Sequence, residues 1–262
     1  MTRRCLVTGG SGFVGRALVA ELQSSGWDVL APTRAEWDAA GTDVPDAPWS
    51  EIDAVAHLAT ATTGPDVWAV NAEATRRLGA VGVRRFVFVS SGDALGDVAE
   101  VPDESTPPGH SLSAYGAAKA AGEEAALDAG GVVVRLFHPY GPGGERFLVN
   151  RVVARVAAGE PVTVEGDDGI PLNPPWVEDV AVGLRLAVES DAPGVFHLAG
   201  PDLVTLRGLA EVAGEVSGTL ARVEPVAGQP RPFHAGRWEH TARVLGYRPS
   251  VSLREGIGRL LS

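Results

Sequence analysis

The chain has 262 residues, of which 45% are hydrophobic and 21% charged, so it is long enough to bury a large core in one domain or two closely packed domains. Its formal net charge of -11 excludes a broad basic surface of the kind that binds nucleic acid, although a few local donors suffice to hold a phosphate-bearing small molecule. A single cysteine, Cys5, excludes an intrachain disulfide, and the absence of a signal-peptide pattern and of any run of about 18 apolar residues predicts a cytoplasmic protein without a membrane helix.

Short apolar runs alternate with helix-like segments through the first half of the chain. The runs predict strands at Arg3–Thr8, Trp27–Ala31, Ala54–Leu58, Arg85–Ser90 and Val132–Phe137, and the segments between them predict helices at Phe13–Gln23, Val67–Leu78 and Ser113–Leu127. Nearly continuous apolar strands separated by helices are typical of a parallel sheet covered on both faces. The sequence therefore predicts an α/β fold built on a doubly wound parallel sheet, the Rossmann arrangement.

The amino-acid composition changes after Tyr140, where glycine and proline become frequent. Further helices are predicted at Phe147–Ala158, Val177–Val188 and Leu206–Val216, with no obvious linker between them and the first half. We therefore expect a small C-terminal cap interleaved with the sheet rather than an independent domain. The expected division is a dinucleotide-binding domain over residues 1–141 and about 174–200, and a substrate-binding cap over about 142–173 and 201–262.

A glycine-rich turn follows the first predicted strand. Gly9, Gly12 and Gly15 have a G-x-x-G-x-x-G spacing and open a helix, which is the context of a dinucleotide site. Gly9 would permit the tight turn, Gly12 the approach of a pyrophosphate to the helix N-terminus, and Gly15 close packing of helix and strand. A ligand-free turn is the alternative, but the position in the first βαβ unit favours a dinucleotide.

The end of the second predicted strand bears on the choice of cofactor. An NAD site usually places Asp or Glu there to accept from the ribose 2′-hydroxyl, whereas this chain has Thr33 followed by Arg34. A guanidinium can bind a 2′-phosphate that a carboxylate would repel, so the sequence favours NADP over NAD. Asp38 either accepts from the adenine amine or faces water.

Tyr115 and Lys119 are four residues apart on a predicted helix, about 6 Å along its axis and on the same face. A tyrosine with a pKa near ~10 is a poor proton donor at neutral pH, and a neighbouring ammonium lowers that pKa toward the working range. Ser91 ends a predicted strand upstream, where its hydroxyl can donate to a carbonyl oxygen beside the tyrosine. The alternative is a generic helix pair with a polar strand end.

With these motifs together, the chain resembles the extended short-chain dehydrogenases/reductases, the family of nucleotide-sugar epimerases, dehydratases and 4-ketoreductases. The matching stretches are Thr8–Gly15, Asp53–Ala59, Asn71 with Thr75, Val89–Ser91, Tyr115 with Lys119, Arg135–Pro142, Trp176–Asp179 and Leu245–Pro249. The segment Leu30–Asp38 is similar to the same segment of dTDP-4-dehydrorhamnose reductases.

The resemblance implies a role for each matching residue. Tyr115 would be the acid–base residue, Lys119 would bind the nicotinamide ribose and lower the tyrosine pKa, and Ser91 would hydrogen-bond the substrate oxygen. The cofactor would be bound by Gly9, Ser11, Gly12, Phe13, Val14, Gly15, Arg34, Asp38, Leu58, Ala59, Thr60, Ser90, Tyr115, Lys119 and Pro139. The resemblance also implies a homodimer formed through two helices, one of which carries Tyr115.

Departures from the family pattern reduce the range of reactions expected of this chain. Family dehydratases place two carboxylates after the catalytic hydroxyl, whereas Ser91 is followed by Gly92 and a single acid, Asp93, so dehydration is disfavoured. The strand motif that usually carries Asn has His138 here, and Leu172 stands where nucleotide-sugar enzymes often carry an arginine. The candidate substrate-binding residues are Asp93, His138, Arg231, which matches a second family arginine, and Arg146. The histidine spacing predicts no metal site.

The function that fits best is an NADPH-dependent ketoreductase acting on a 4-keto-6-deoxyhexose carried by a nucleotide. Two alternatives stay open within enzymes: a nucleotide-sugar 4-epimerase that holds NAD tightly, and a reductase of a non-sugar natural-product ketone, which Leu172 would suit. A cofactor-sensing protein on the same fold is disfavoured because Tyr115 and Lys119 are both present. The expected partner is a small molecule, with neither nucleic acid nor membrane involved.

Overall fold

A six-stranded parallel sheet forms the centre of the molecule, in a computed structural model that describes residues 2–109, 113–228 and 234–262. The strands are β1 (Arg4–Thr8), β2 (Asp28–Leu30), β3 (Ala54–His57), β4 (Arg85–Ser91), β5 (Val132–Leu136), β6 (Val162–Glu165), β7 (Pro171–Leu172), β8 (Gly194–Leu198), β9 (Val204–Thr205) and β10 (Val223–Val226). The helices are α1 (Phe13–Ser24), α2 (Ala74–Gly79), α3 (Ala114–Asp128), α4 (Leu148–Ala157), α5 (Val177–Glu189), α6 (Leu206–Ser217), α7 (Glu239–Leu245) and α8 (Leu253–Leu261).

The central sheet has the order β2-β1-β3-β4-β5-β8, and every neighbouring pair in it is parallel. The order reverses between β1 and β3, and a ligand crevice is expected at the carboxyl ends of the strands beside such a switch point. At that point the Thr8 hydroxyl and the His57 imidazole Nδ1 hydrogen-bond at 2.6 Å, joining the ends of the two strands. The predicted doubly wound α/β fold is confirmed.

Two large hydrophobic clusters lie beside each other in the described ranges. One packs α1 and α5 on the central sheet; Cys5 is fully buried within it, and burial raises the pKa of its thiol to about 12, which keeps it uncharged. The other joins α4, α6 and α8 to the small sheets β6–β10 and β7–β9. The chain passes between the clusters several times, and the predicted division into a sheet domain and a cap stays a prediction. No helix of the described ranges has the length and apolarity needed to cross a bilayer.

Several elements differ from the sequence expectation, including the short strands β6, β7, β9 and β10, which were not predicted. The helix predicted at Val67–Leu78 begins instead as a π turn, Ala69–Glu73, which continues into α2. The strand β8 was not predicted, because a glycine starts it and His197 interrupts its apolar run. The helices α7 and α8 were also missed, since each is under ten residues and lies among prolines and arginines.

Helix α3 packs unusually close to its neighbours because its buried face is lined by small residues. A Cβ atom at Gly122 would lie 2.3 Å from the Asn71 carbonyl oxygen, and one at Gly116 would lie 2.5 Å from the Asp93 carbonyl oxygen. These glycines bring the helix that carries Tyr115 and Lys119 against the end of β4 and against the π turn. The alanine- and glycine-rich composition of α3 therefore positions the site.

Candidate active site

Two adjoining cavities open at the carboxyl ends of the central strands. The Arg34 cavity, of about 500 Å³, runs from the glycine turn past Trp37 and Asp38 to Asp66. The Tyr115 cavity, of about 290 Å³, runs from the same turn to the end of β5. Their walls share Gly9, Gly12, Leu58, Thr60 and Thr62. Every cofactor-binding candidate named from the sequence lines one cavity or both.

The glycine turn has the geometry that its spacing predicts. Gly9 has φ 71°, a left-handed conformation, and a Cβ there would lie 2.6 Å from the Ala59 backbone nitrogen. A Cβ at Gly15 would lie 2.1 Å from the Gly9 carbonyl oxygen, so helix and turn can meet only with glycine at that position. Gly12 caps α1 with no side-chain hydrogen bond, and it lines both cavities. The N-terminus of α1 therefore offers its free N–H groups to an anionic group.

Replacing Gly12 by Val separates cofactor affinity from folding. Gly12 has extended backbone angles, φ -72° and ψ 174°, that valine also adopts, but an added Cβ would lie 3.1 Å from the Gly9 carbonyl oxygen, which is a tight contact, so thermal unfolding of the variant is measured beside its affinity. The added methyls would occupy the approach to the helix N-terminus. We expect the Kd for NADPH and NADH, measured by fluorescence titration, to rise at least about tenfold. Gly258→Ala, on a helix far from both cavities, is the control, and unchanged affinity in Gly12→Val would contradict the assignment.

Tyr115, Lys119 and Ser91 meet in the Tyr115 cavity. The Lys119 ammonium donates to the Val89 carbonyl oxygen at 2.8 Å and lies 5.9 Å from the centre of the Tyr115 ring. Two glycines of α3 and the end of β4 produce this convergence, although 24 residues separate Ser91 from Tyr115 in the chain. The arrangement brings a hydroxyl donor, a phenol and an ammonium together beside the glycine turn.

Burial controls the ionisation of the phenol and the ammonium. It lowers the pKa of Lys119 from 10.5 to about 7, with the Glu123 carboxylate acting in the opposite direction. Burial also raises the pKa of Tyr115, against the opposite effect of hydrogen bonds from Thr60 and Ser91. The net direction for Tyr115 is the reverse of the one expected from a neighbouring lysine alone. In the protein without ligand, the loss of hydration outweighs that neighbour.

The buried Lys119 should give the ligand-free protein a pH-dependent stability. The folded state releases the lysine proton near pH 7 while the unfolded state keeps it to 10.5, so the unfolded chain binds more protons above pH 7 and stability rises with pH. We expect a rise of up to ~1.4 kcal/mol per pH unit between pH 7 and ~8.5, where cysteine ionisation in the unfolded chain begins. Chemical denaturation of wild type and Lys119→Met measures this difference, and equal slopes in both proteins would refute it.

The hydroxyls at the end of β4 have separate partners. Ser91 donates to Asp93 Oδ2 at 2.8 Å and accepts from the Asp93 backbone nitrogen at 3.2 Å. Ser90 donates to Glu123 Oε1 at 2.6 Å, so its hydroxyl points to a buried ion pair and not to the cavity that the residue lines. A cofactor contact by Ser90 would therefore have to use its backbone.

An asparagine in the π turn holds the loop that separates the two cavities. Asn71 is fully buried, its amide donates to the carbonyl oxygens of Ala61 and Val67 at 2.7 and 2.8 Å, and its oxygen accepts from Thr60 at 2.8 Å. The Thr75 hydroxyl donates to the Asn71 carbonyl oxygen at 2.7 Å, which ties the π turn to the start of α2. Sequence reasoning noted Asn71 only as part of a resemblance and assigned it no role.

Arg34 lies at the far end of its cavity between two acids. Its side chain is 80% exposed, and its guanidinium nitrogens are 3.9 Å from Asp38 Oδ1 and 3.9 Å from Asp66 Oδ2. Arg34 and Asp38 are therefore brought together as a pair on the cavity wall, and Asp66 is an additional group that the sequence did not single out. At this end of the cavity, the two carboxylates can accept a hydrogen bond from a ribose hydroxyl, or the Arg34 guanidinium can bind a phosphate.

Residues 5–199 match the NAD dependent epimerase/dehydratase family. The chain belongs to this family. The resemblance drawn from the motifs is thereby confirmed, and the protein is an NAD(P)-dependent enzyme of the extended short-chain dehydrogenase/reductase type.

Relatives within the epimerase/dehydratase family have different named activities. The chain is 28% identical over 301 residues to UDP-glucuronic acid decarboxylase 1 of Arabidopsis thaliana, covering 99% of this chain and 69% of that protein. It is 32% identical over 274 residues to dTDP-4-dehydrorhamnose reductase of Mycobacterium tuberculosis, covering 92% and 84%. The structure of Thermus thermophilus UDP-glucose 4-epimerase in complex with NAD is similar with a TM-score of 0.83 and 26% identity, covering 98% and 97%.

The candidate substrate residues of this family member are only partly brought together. Asp93 and His138 line the Tyr115 cavity, whereas Arg146 is exposed and lines neither cavity, and Arg231 lies outside the described residues. Leu172 is fully buried in the second hydrophobic cluster, so it faces packing rather than a ligand. Within the described ranges no cluster of three or more histidine, cysteine or acidic side chains is placed to hold a metal ion.

Proposed function

We propose that this enzyme is an NADPH-dependent ketoreductase that acts on a nucleotide-linked 4-keto-6-deoxysugar. The convergence of Tyr115, Lys119 and Ser91 in a cavity that continues into the glycine turn carries the proposal. The substrate class is supported by the names of relatives, which include dTDP-4-dehydrorhamnose reductase and the dTDP-4-keto-6-deoxy-D-glucose reductase of Streptomyces niveus, 30% identical over 276 residues.

Each side chain of the site has a separate role in the reduction. When bound, the nicotinamide supplies hydride to the ketone carbon. Tyr115 gives its proton to the oxygen that becomes the alcohol, and Ser91 polarises that oxygen by donating a hydrogen bond. Lys119, held at the Val89 carbonyl, stabilises the phenolate that proton transfer leaves and hydrogen-bonds the ribose. The free N–H groups at the start of α1 hold the pyrophosphate.

The carboxylate count supports reduction over dehydration. Dehydration needs both an acid and a base beside the catalytic hydroxyl, and among the described residues lining the Tyr115 cavity Asp93 is the one carboxylate. Its Oδ2 already accepts from Ser91 at 2.8 Å. Because Ser91 has a single hydroxyl proton, polarising the ketone requires that this proton turn from Asp93 Oδ2 to the substrate oxygen, while the Asp93 backbone N–H still donates to Ser91 Oγ at 3.2 Å.

A panel of substrates and cofactors tests the proposal. NADPH and NADH would each be paired with dTDP-, UDP- and GDP-linked 4-keto-6-deoxyhexoses, and cofactor oxidation and the new alcohol followed by absorbance and mass spectrometry. We expect oxidation with at least one nucleotide sugar and a preference for NADPH that Arg34→Ala removes. Absence of alcohol with every pair would overturn the proposal.

A nucleotide-sugar 4-epimerase is the second candidate. It is favoured by the two acids flanking Arg34 at 3.9 Å, which suit a ribose hydroxyl better than a phosphate, and by the epimerase neighbour that binds NAD. An epimerase needs its cofactor back in oxidised form after each turnover and so retains it. Purified protein carrying stoichiometric NAD, together with interconversion of 4-epimers, would establish this candidate.

Reduction of a non-sugar ketone is the third candidate, and it rests on Leu172. Nucleotide-sugar enzymes of this family often carry an arginine at this position, and a buried leucine in β7 supplies no charge to bind a diphosphate. Calorimetry with dTDP, UDP and GDP on the NADPH-loaded enzyme distinguishes the two reductases: micromolar binding of any of the three supports the nucleotide sugar, and no binding supports the non-sugar ketone.

A further inference from the structure

His138 has a strained backbone inside the active-site cavity. Its φ is 53°, and it is the one non-glycine residue of the described ranges with a positive value. Such conformations cost on the order of 1–3 kcal/mol and persist where the surrounding structure imposes them, most often at functional sites. His138 directly follows Phe137 at the carboxyl end of β5 and lines the Tyr115 cavity with Ser91, Asp93 and Tyr115.

A second histidine holds the His138 ring. His138 Nε2 lies 3.1 Å from His234 Nδ1, and the ring centroids are 5.2 Å apart with planes inclined by 28°, so the two rings meet edge to edge through this hydrogen bond. The His234 backbone nitrogen donates to the Pro171 carbonyl oxygen at 3.0 Å, and His234 forms an isolated bridge with Leu172. The pair therefore joins the end of β5 to β7, across 96 residues of sequence.

The pairing couples the tautomers of the two rings. Only one of the two facing nitrogens can carry the shared proton, so His234 decides whether His138 Nδ1 is a donor or an acceptor. Burial lowers the pKa of His138 to about 4, His234 acts in the same direction, and the Asp93 carboxylate acts against both. His138 is therefore uncharged at neutral pH and suits a neutral oxygen better than an anion.

We propose that His138 and His234 form one recognition unit, in which His138 Nδ1 hydrogen-bonds a hydroxyl or ring oxygen of the sugar and His234 is the positioning residue that fixes the orientation and tautomer of His138. The inference rests on the proposed function, because it takes the Tyr115 cavity as the sugar site. A site built to hydrogen-bond a hydroxyl discriminates against analogues that lack it, since its own buried group is then left unpaired. The unit would thereby select a hydroxylated substrate.

Steady-state kinetics of the NADPH-loaded enzyme test the unit. His234→Phe keeps an aromatic ring in the same place and removes the bond to His138, and His138→Gly removes the imidazole while suiting the positive φ. We expect each to raise KM for the sugar about fivefold to tenfold with kcat within about twofold, and the double variant to be no worse than His138→Gly. Effects that add in the double variant, or unchanged KM in His138→Gly, would overturn the proposal.

Thermal unfolding and NMR distinguish an effect of the histidine pairing from a loss of stability and from a failure of the proposed reaction. His240→Asn, which alters a ring stacked on Phe196 away from the cavity, should leave KM unchanged, and thermal unfolding of all variants shows whether KM follows stability. Imidazole nitrogen NMR shifts in the holoenzyme report the tautomers without turnover. His234→Phe should change the His138 tautomer and raise its pKa; an unchanged His138 spectrum overturns the pairing. An inactive wild type with a paired spectrum overturns the ketoreductase assignment alone.

Discussion

Replacing Tyr115 by Phe is expected to lower kcat by about 10²- to 10⁴-fold, the range that a positioned general acid contributes. The substitution removes one oxygen atom from a half-buried ring and leaves the ring contact with Lys119 in place. The hydroxyls of Thr60 and Ser91 lose a partner in the cavity, but both have others: Thr60 donates to Asn71 and Ser91 to Asp93. Cofactor affinity should therefore change little while proton transfer is lost.

The measurement is single-turnover reduction of the best nucleotide sugar by NADPH, together with a fluorescence titration of the cofactor. Tyr247→Phe is the matched control, because it removes a phenol oxygen that is fully buried outside the cavity and donates to the Ala199 carbonyl at 2.9 Å. The control should lose some stability and keep its rate of reduction. Reduction by Tyr115→Phe at the wild-type rate would show that another group delivers the proton.

The fold and the central part of the site were predictable because their signals are local. Apolar runs bounded by glycine identify the parallel strands, the spacing of Gly9, Gly12 and Gly15 identifies the turn, and helix geometry alone puts Tyr115 and Lys119 on one face. Each of these patterns lies within about 15 residues of chain, so the periodicity of a single strand, turn or helix is enough to predict it.

The supporting groups were not predictable because their partners, 11 residues apart for Asn71 and Thr60 and 96 apart for His138 and His234, follow no backbone period. Asn71 holds Thr60 through the carbonyl and hydroxyl groups of a loop, and His234 meets His138 across 96 residues. No periodicity in the sequence relates such partners. The π turn was not predicted either, since it differs from an α-helix in its backbone hydrogen bonds, such as Ala74 N–H to the Ala69 carbonyl, which no side-chain pattern reveals.

Burial explains why the pKa of Tyr115 shifts in the direction opposite to the one expected from the sequence. The sequence shows that Lys119 is one helical turn from Tyr115, and a charge at that distance lowers the pKa of a phenol. It does not show that both groups are removed from water, which raises the pKa of Tyr115 and lowers that of Lys119. A bound dinucleotide would add its own charges and hydroxyls here, so the phenol pKa measured with and without cofactor is expected to differ.

Replacing Arg135 by Met is expected to lower the free energy of unfolding by about 3–5 kcal/mol, which is the effect of stranding one partner of a buried ion pair. Arg135 and Glu123 are each 2% exposed, and two bonds of 2.9 and 2.7 Å join the guanidinium to the two carboxylate oxygens. A third guanidinium bond reaches the Thr106 carbonyl at 2.9 Å, and Ser90 donates to the same carboxylate at 2.6 Å. Without the arginine, Glu123 keeps that serine as a hydrogen-bond donor and the buried Lys119 as a charged neighbour, but it loses its direct ion pair.

The double variant Arg135→Met/Glu123→Leu shows whether the pair stabilises the fold by pairing its charges or by packing its long side chains. Removing both charges should recover most of the lost stability, because a buried pair replaced by apolar groups of similar volume is often neutral. Arg84→Met, which breaks an exposed pair with Asp191, should leave the free energy of unfolding nearly unchanged. Urea denaturation of all four proteins measures these differences. Since Glu123 and Lys119 share α3, and Ser90 precedes Ser91, the double variant should fold yet reduce its substrate more slowly than wild type. A double variant as unstable as Arg135→Met would show that packing of the long side chains, and not pairing of the charges, holds α3 against β5.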